Sequence, residues 1–364
     1  MARKLTTGFE LGEVIEHNGT LVGTGANSVQ TGMKRTGAYA WRIQVGSVAF
    51  GNYKAMTHTL PGNPQELYVR AAVYLGTSAG ASTNAQMLMA FCDQATVHLS
   101  IGIPPTDNRI RIYRGGTGEL GHTPGTYTEL AAGSIVLNEL TWYVLEVYVK
   151  VSNTVGQVIV KVNGVTDATF GPGDTASSAN EYTDVFKVGA NGATVGAGRD
   201  YYLDDIALND TTGGESDSWV GLGGVYFLVP TADGSSSDWT PLGGGNHWEE
   251  VDEIPADDDT SYVYDDTAGA KDLYELANLP ALVNSINLVE TVFQAALSEA
   301  GSNDIRGVIR HSGVDYSDTP THTITNVHPN YALLKGDPVY QVLGGAGAWT
   351  PAQVNALEAG FEIV

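Results

Sequence analysis

Asp204 and Asp205 stand side by side in the run Tyr201-Tyr202-Leu203-Asp204-Asp205-Ile206-Ala207-Leu208. In an extended strand neighbouring residues point to opposite faces, so one of these two carboxylates must face the core or a loop junction. A carboxylate held there is satisfied by backbone N–H groups or by calcium. The sequence offers no second ligand position beside the pair, which favours a structural role. Asp257-Asp258-Asp259 supplies hard oxygen ligands of the kind calcium takes, but without the alternating spacing and the glycine of a calcium loop. It reads as a solvated charge run. Asp204, Asp205, Asp257 and Asp259 are therefore the candidate metal ligands, and calcium is the one cofactor they would suit. Trp239 and Trp248 lie in loops rich in Gly and Ser, where an indole stacks on a sugar ring or anchors a subunit contact. Of the two roles, the subunit contact is the expected one.

Other patterns exclude chemistry. Gly116-Thr117-Gly118-Glu119-Leu120-Gly121 matches the glycine spacing of a dinucleotide loop and follows the strand-like Arg109 to Tyr113. A pyrophosphate there needs the N-terminus of a helix, and Gly121-His122-Thr123-Pro124-Gly125 cannot open one. The segment reads as an ordinary hairpin turn. Sandwich-type glycosidases carry acid and nucleophile carboxylates at alternate positions of one strand. No Glu-x-Asp-x-x-Glu pattern occurs; Glu146 stands alone on its strand, and Glu10, Glu13 and Glu16 have helix-like spacing. The histidines at 17, 58, 98, 122, 247, 311, 322 and 328 are scattered, with only His322 and His328 loosely spaced as metal ligands. Cys92, the single cysteine, reads as a small buried hydrophobe in a strand. No catalytic residue is assigned, and the chain is expected not to be an enzyme.

The elements that would position these residues are strands. Short Val, Ile and Tyr runs alternate with Gly, Ser, Thr and Asn clusters from about residue 8 to 210, at the spacing of a sandwich or barrel. Candidate strands are 38–45, 65–75, 86–93, 97–101, 109–113, 142–151, 157–162, 184–188 and 201–208. In Trp142 to Lys150 one face reads as core, while Glu146 and Lys150 mark a solvated one. Asn163-Gly164 closes the following strand with a tight turn. A polar stretch from Asn209 to Gly224 suggests a boundary, giving a sandwich domain over 1–210 and a smaller, mainly-β domain over 211–364. In the second part, 225–230 reads as a strand, Thr231 to Asp238 as a solvated loop, and 286–297 as a strand with some helical character. Thr350-Pro351 predicts a short helix stopped at Gly360.

Charge narrows the partners. The chain carries 18 basic and 41 acidic side chains, and only 4 of the basic ones fall after residue 210 against 23 acidic ones. A body this acidic repels nucleic acid and anionic membrane. Met1 to Gly8 carries two positive charges with no apolar stretch after them, so no signal peptide is expected, and no run of about 18 apolar residues would span a bilayer.

The hairpin Trp142–Lys150 with Gly156–Gly164, together with Tyr201–Leu208 and the upstream Arg35-Thr36-Gly37-Ala38-Tyr39-Ala40-Trp41-Arg42, resembles a concanavalin A-like, laminin-G-like jelly roll. The order Pro230–Gly234, Trp239-Thr240-Pro241, Val251-Asp252-Glu253, Asp259–Val263 and Trp349–Gly360 resembles a segment of tailed-phage structural proteins. The resemblance implies an all-β virion surface component of the tail, fibre or capsid-decoration type, located on the particle. Its expected partners are other virion proteins and copies of itself. The alternative it implies is a carbohydrate-binding adhesin that recognises host surface glycan.

Overall fold

The computed structural model describes residues 3–16, 19–45, 52–78, 84–192, 199–319 and 321–364. Met1, Ala2 and His17 lie outside the described residues. The chain divides into two compact units, Met1–Tyr226 and Phe227–Val364.

Among the described residues the first unit contains fifteen strands. They are β1 (Arg3–Thr7), β2 (Gly19–Val22), β3 (Ala26–Gln30), β4 (Ala40–Gln44), β5 (Tyr53–Thr59), β6 (Glu66–Leu75), β7 (Gln86–Asp93) and β8 (Thr96–Ile103). There follow β9 (Arg109–Gly115), β10 (Tyr127–Val136), β11 (Trp142–Lys150), β12 (Gly156–Val162), β13 (Val165–Gly173), β14 (Val185–Asn191) and β15 (Asp200–Asp210). One sheet has the order β13-β12-β11-β6-β15-β4-β3, with β1 also on β15; the other runs β10-β9-β8-β7-β14-β5-β2. This is a jelly-roll β-sandwich. Its core is made by alternation: β12 is Gly-Gln-Val-Ile-Val-Lys-Val, with every second residue buried. Trp41, Ile43, Val73, Leu145, Val147 and Leu203 of the first sheet meet Met56, Phe91, Leu99, Ile112 and Phe186 of the second in one apolar cluster. Asn163 and Gly164 take positive φ (50° and 82°) between β12 and β13, as a two-residue hairpin requires.

The outer face of the first sheet is not the wet face that Glu146 and Lys150 suggest. Glu146 is buried, because residues 218–225 cross over it: the Gly221 N–H donates to its Oε1 at 2.9 Å. The Trp219 ring packs on Tyr68 (centroids 5.4 Å apart) and lies 3.5 Å beneath the Lys161 ammonium. These residues are distant in sequence, so the local pattern around Glu146 carries no trace of them.

The second unit is built on a sheet ordered Pro230–Ser237, Lys271–Leu276, Glu358–Ile363, Asn303–His311 and Val314–Ser317, with His322–Ile324 also on Asn303–His311. Two expectations exchange places here. Residues 225–229 form no strand, whereas the stretch expected to be a solvated loop is the edge strand Pro230–Ser237. Its ladder to Lys271–Leu276 supplies what its own side chains do not. Within 286–297 only Val292–Ala295 is a strand. The C-terminal helix is one turn, Pro351–Val354, with a Thr350–Gln353 capping box. It stops at Asn355, and Gly360 lies inside the last strand. Among the described residues no helix is long and apolar enough to cross a membrane.

Candidate functional site

The outer face of the second sheet has the composition of a binding surface. Phe186 and Val188 turn inward from β14, which by the two-residue period leaves Val185, Lys187 and Gly189 on the other side. The ladder pairs set the row that contains Lys187: Thr57 on β5, Lys187, Ala90 on β7, Ser100 on β8, Tyr113 on β9 and Glu129 on β10. Directly opposed residues share a face, so the row crosses the sheet in steps of about 5 Å. It presents a hydroxyl, an ammonium, a second hydroxyl, a phenol and a carboxylate in line. Tyr53 and Tyr127 flank it, both half-buried, and the Tyr113 and Tyr127 rings are 4.8 Å apart.

Gly116–Thr126, which joins β9 to β10, does not make a tight hairpin turn. It folds back onto this face and drives Leu120 into a cluster of Ala55, Met87, Ala90, Cys92, Val97 and Tyr113. Gly121, at φ 70°, comes so close that a Cβ there would sit 3.2 Å from the Ser100 hydroxyl oxygen. Glu119 forms an ion pair with Lys187, and the His122 ring lies 5.4 Å from that of Tyr53. Sequence reasoning passed over this constellation because its members lie far apart in the chain. The available signal was a lysine at the outward position of an otherwise apolar central strand, Val185-Phe186-Lys187-Val188.

Burial sets the protonation of the groups on this face. It holds the His122 imidazole below its ordinary value, with the Glu119 charge opposing, so the ring is neutral near pH 7 and one nitrogen accepts. Burial, and then the Glu119 charge, raise the Tyr53 phenol, while Lys187 opposes. Burial also raises Tyr113 and Tyr127, and it pushes the Cys92 thiol up to about 12. Cys92 is thus a buried, protonated thiol. Ser100 is fully buried, and neither its hydroxyl nor that of Thr57 has a hydrogen-bond partner among the described residues. Neutral phenols, hydroxyls and ring faces beside one ammonium are the donors, acceptors and stacking surfaces that a sugar engages.

The residues singled out from the sequence lie elsewhere. Both Asp204 and Asp205 turn to the Arg35–Thr36 segment, because a bulge breaks β15 between Asp204 and Ala207 and sets Asp205 at φ 52°. The strict alternation expected of a regular strand therefore does not apply. Asp204 accepts from the Arg35, Thr36 and Asp205 backbone N–H groups at 2.8, 3.3 and 2.7 Å. Asp205 pairs with the Arg35 guanidinium at 2.6 Å and accepts from the Val225 N–H at 2.7 Å. Burial, then the Asp205 charge, push the Asp204 carboxyl up.

Asp257 accepts from Ser261 in its own turn, while Asp259 meets His328 at 2.6 Å and the Tyr331 hydroxyl at 3.1 Å. The two do not converge on one point. Among the described residues no group of three His, Cys, Asp or Glu side chains is arranged to hold a metal ion. Trp239 and Trp248 are half-buried rather than exposed: the Trp239 indole donates to Ala270 at 3.2 Å and packs 4.7 Å from Phe361.

Glu10, buried near the start of the chain, accepts from the Ala38 and Tyr39 N–H groups at 2.7 and 3.4 Å. Burial nevertheless outweighs these bonds and pushes its carboxyl from 4.5 up to about 7. The folded state thus holds this proton more tightly than the unfolded chain does. Glu10 contributes its full stability below pH 4.5 and loses it as the pH rises through 7. The denaturation midpoint of the first unit is expected to fall between pH 5 and 8, and Glu10→Gln should flatten that fall; an unchanged slope in the variant contradicts the assignment.

No family model and no curated protein matches the chain. Among solved structures it is similar to a cellulose-induced protein, Cip1, at 18% identity and a TM-score of 0.44, covering 60% of this chain and 100% of that one. An endo-β-1,4-glucuronan lyase from the fungus Trichoderma reesei is similar at 13% identity and TM-score 0.46, over 57% of this chain and 96% of that one. The alginate lyase Aly36B is similar at 14% and 0.36, over 48% and 82%. The expectation that the chain is not an enzyme is corrected here, since polysaccharide lyases stand among these similar structures. That expectation rested on the missing carboxylate pair of a hydrolase. Eliminative cleavage needs a base that takes a proton, for which no carboxylate pair is required.

Proposed function

We propose that this chain is a carbohydrate-binding protein that takes glycan on the outer face of its second sheet. One observation carries the reading: the row Thr57–Lys187–Ala90–Ser100–Tyr113–Glu129 places hydroxyl, ammonium, phenol and carboxylate groups in line across five strand pairs, flanked by the Tyr53 and Tyr127 rings. A sheet face lined in this way suits an extended oligosaccharide, whose hydroxyls repeat along its length and whose ring faces pack on aromatic side chains.

In this proposal the first unit is the recognition part. Presentation on a tailed-phage particle, with the acidic second unit meeting other virion proteins and further copies of the chain, belongs to the proposal as well. It is supported by the residue order that resembles phage structural proteins.

A glycan array covering neutral and acidic oligosaccharides, run with and without calcium, tests the reading. Saturable binding that free oligosaccharide competes away supports it; silence across the array contradicts it. Incubating the selected glycan with the protein and sizing the products then reports whether bound chains are also cut.

A further inference from the structure

We propose that Gly116–Thr126 is a displaceable cover that occupies the glycan site in the free protein, so that binding requires the loop to lift. This rests on the glycan-binding reading for what enters, but the movement itself is carried by separate observations.

Among the described residues the loop is held to the sheet by side chains. Among the described residues its backbone hydrogen bonds stay inside it: Gly121 to Gly118 at 3.0 Å, Thr123 to Thr117 at 3.1 Å and Thr126 to Thr123 at 3.3 Å. Its attachments include the apolar seat of Leu120, the ion pair of Glu119 with Lys187, and the His122 ring against Tyr53. Lifting the loop therefore breaks no sheet ladder, which places its opening at the low-energy end of local unfolding. The surface beneath is left unsatisfied by the closed state. Ser100 is fully buried against Gly121 with no partner for its hydroxyl among the described residues, and an unpaired buried hydroxyl favours any arrangement that supplies a partner. Lys187, 7% exposed, has its ammonium on a carboxylate that belongs to the loop. Opening therefore exposes the central part of the row, with a hydroxyl, an ammonium and a phenol released together.

A closed cover lowers apparent affinity by the fraction of molecules that are open. Weakening the Leu120 seat raises that fraction without touching the ligand-facing groups.

Cys92 makes the movement measurable without any glycan. It is the only cysteine in the chain and lies fully buried in the cluster that Leu120 completes. The test is the rate at which iodoacetamide labels Cys92 in the native full-length protein, compared for the unsubstituted chain, Leu120→Ala, and Val160→Ala in the core between the sheets. Leu120→Ala is expected to label at least about tenfold faster, with Val160→Ala close to the unsubstituted rate. Equal rates for Leu120→Ala and the unsubstituted chain would overturn the cover. So would equal acceleration in both variants, which means that the thiol is reached by global unfolding. The oligosaccharide selected on the array should in parallel bind Leu120→Ala more tightly, by about fivefold or more. Absence of binding by either protein sinks the glycan reading, whereas the thiol rates decide the loop movement.

Discussion

Replacing Asp205 by alanine is expected to destabilise the first unit by about 3–5 kcal/mol. The carboxylate is fully buried. It pairs with the Arg35 guanidinium at 2.6 Å, and its other oxygen takes the Thr36 hydroxyl and the Val225 N–H. Arg35 in turn donates to the Leu222 and Gly223 carbonyls at 2.7 and 2.9 Å, so the carboxylate ties the crossing segment 218–225 to the sheet. Nearby, Arg70 donates to the Asp205 carbonyl at 2.8 Å, and burial holds its guanidinium down to about 10 with the Asp205 charge opposing. Alanine would leave both cations without that charge and place a Cβ residue with no local hydrogen bond at positive φ. Asparagine tolerates this backbone conformation and keeps one acceptor. Asp205→Asn should therefore lose about half as much, roughly 2 kcal/mol. Urea unfolding followed by tryptophan fluorescence measures both. A loss under about 1 kcal/mol for Asp205→Ala would show that the network contributes little.

Lys187→Ala is expected to weaken glycan binding about 10- to 100-fold, the loss of one charge-assisted contact worth roughly 1.5–3 kcal/mol. Glu119→Gln breaks the same ion pair but keeps the ammonium, and it loosens the loop. It should therefore strengthen binding. Two substitutions in one ion pair that move affinity in opposite directions are hard to reconcile with a purely structural role, which would move both the same way. Titration calorimetry with the selected oligosaccharide reads both variants. Parallel losses would place the ligand elsewhere.

Much of the sandwich was legible because its core strands carry apolar residues at alternate positions or in continuous runs. Trp142–Lys150, Gly156–Val162 and Gln86–Asp93 show one or the other, and Asn163-Gly164 marks its turn without help from distant residues. The strands that escaped are edges or polar on one face. Tyr127–Val136 pairs only with Arg109–Gly115 in its sheet and with two register shifts. Tyr53–Thr59, Tyr-Lys-Ala-Met-Thr-His-Thr, alternates a core face with a site face, so its polar half obscured the pattern. Pro230–Ser237 is Pro-Thr-Ala-Asp-Gly-Ser-Ser-Ser, loop-like by composition. It is a strand because Lys271–Leu276 offers it a ladder, while Asp233 and Ser235 are satisfied by the Trp248 N–H and the Glu358 carboxylate.

The site was less legible for the same reason in stronger form. Glu119 and Lys187 are 68 residues apart, Ser100 meets Tyr113 only through a ladder, and the loop lies on the sheet through the side chains of Glu119, Leu120 and His122. Spacing rules for motifs register short-range chemistry. They gave Asp204 and Asp205, which the fold uses for structure, and discarded Gly116–Gly121, where Gly121 serves a close approach to the sheet rather than a phosphate.

The placement of the ligand can be read directly by hydrogen–deuterium exchange of the full chain with and without a saturating amount of the selected oligosaccharide. Slower exchange is expected in Tyr53–Thr59 and Val185–Asn191, with faster exchange in Gly116–Thr126 as the loop lifts. Protection confined to the first sheet or to Phe227–Val364, with Val185–Asn191 unchanged, would contradict a glycan site on the second sheet.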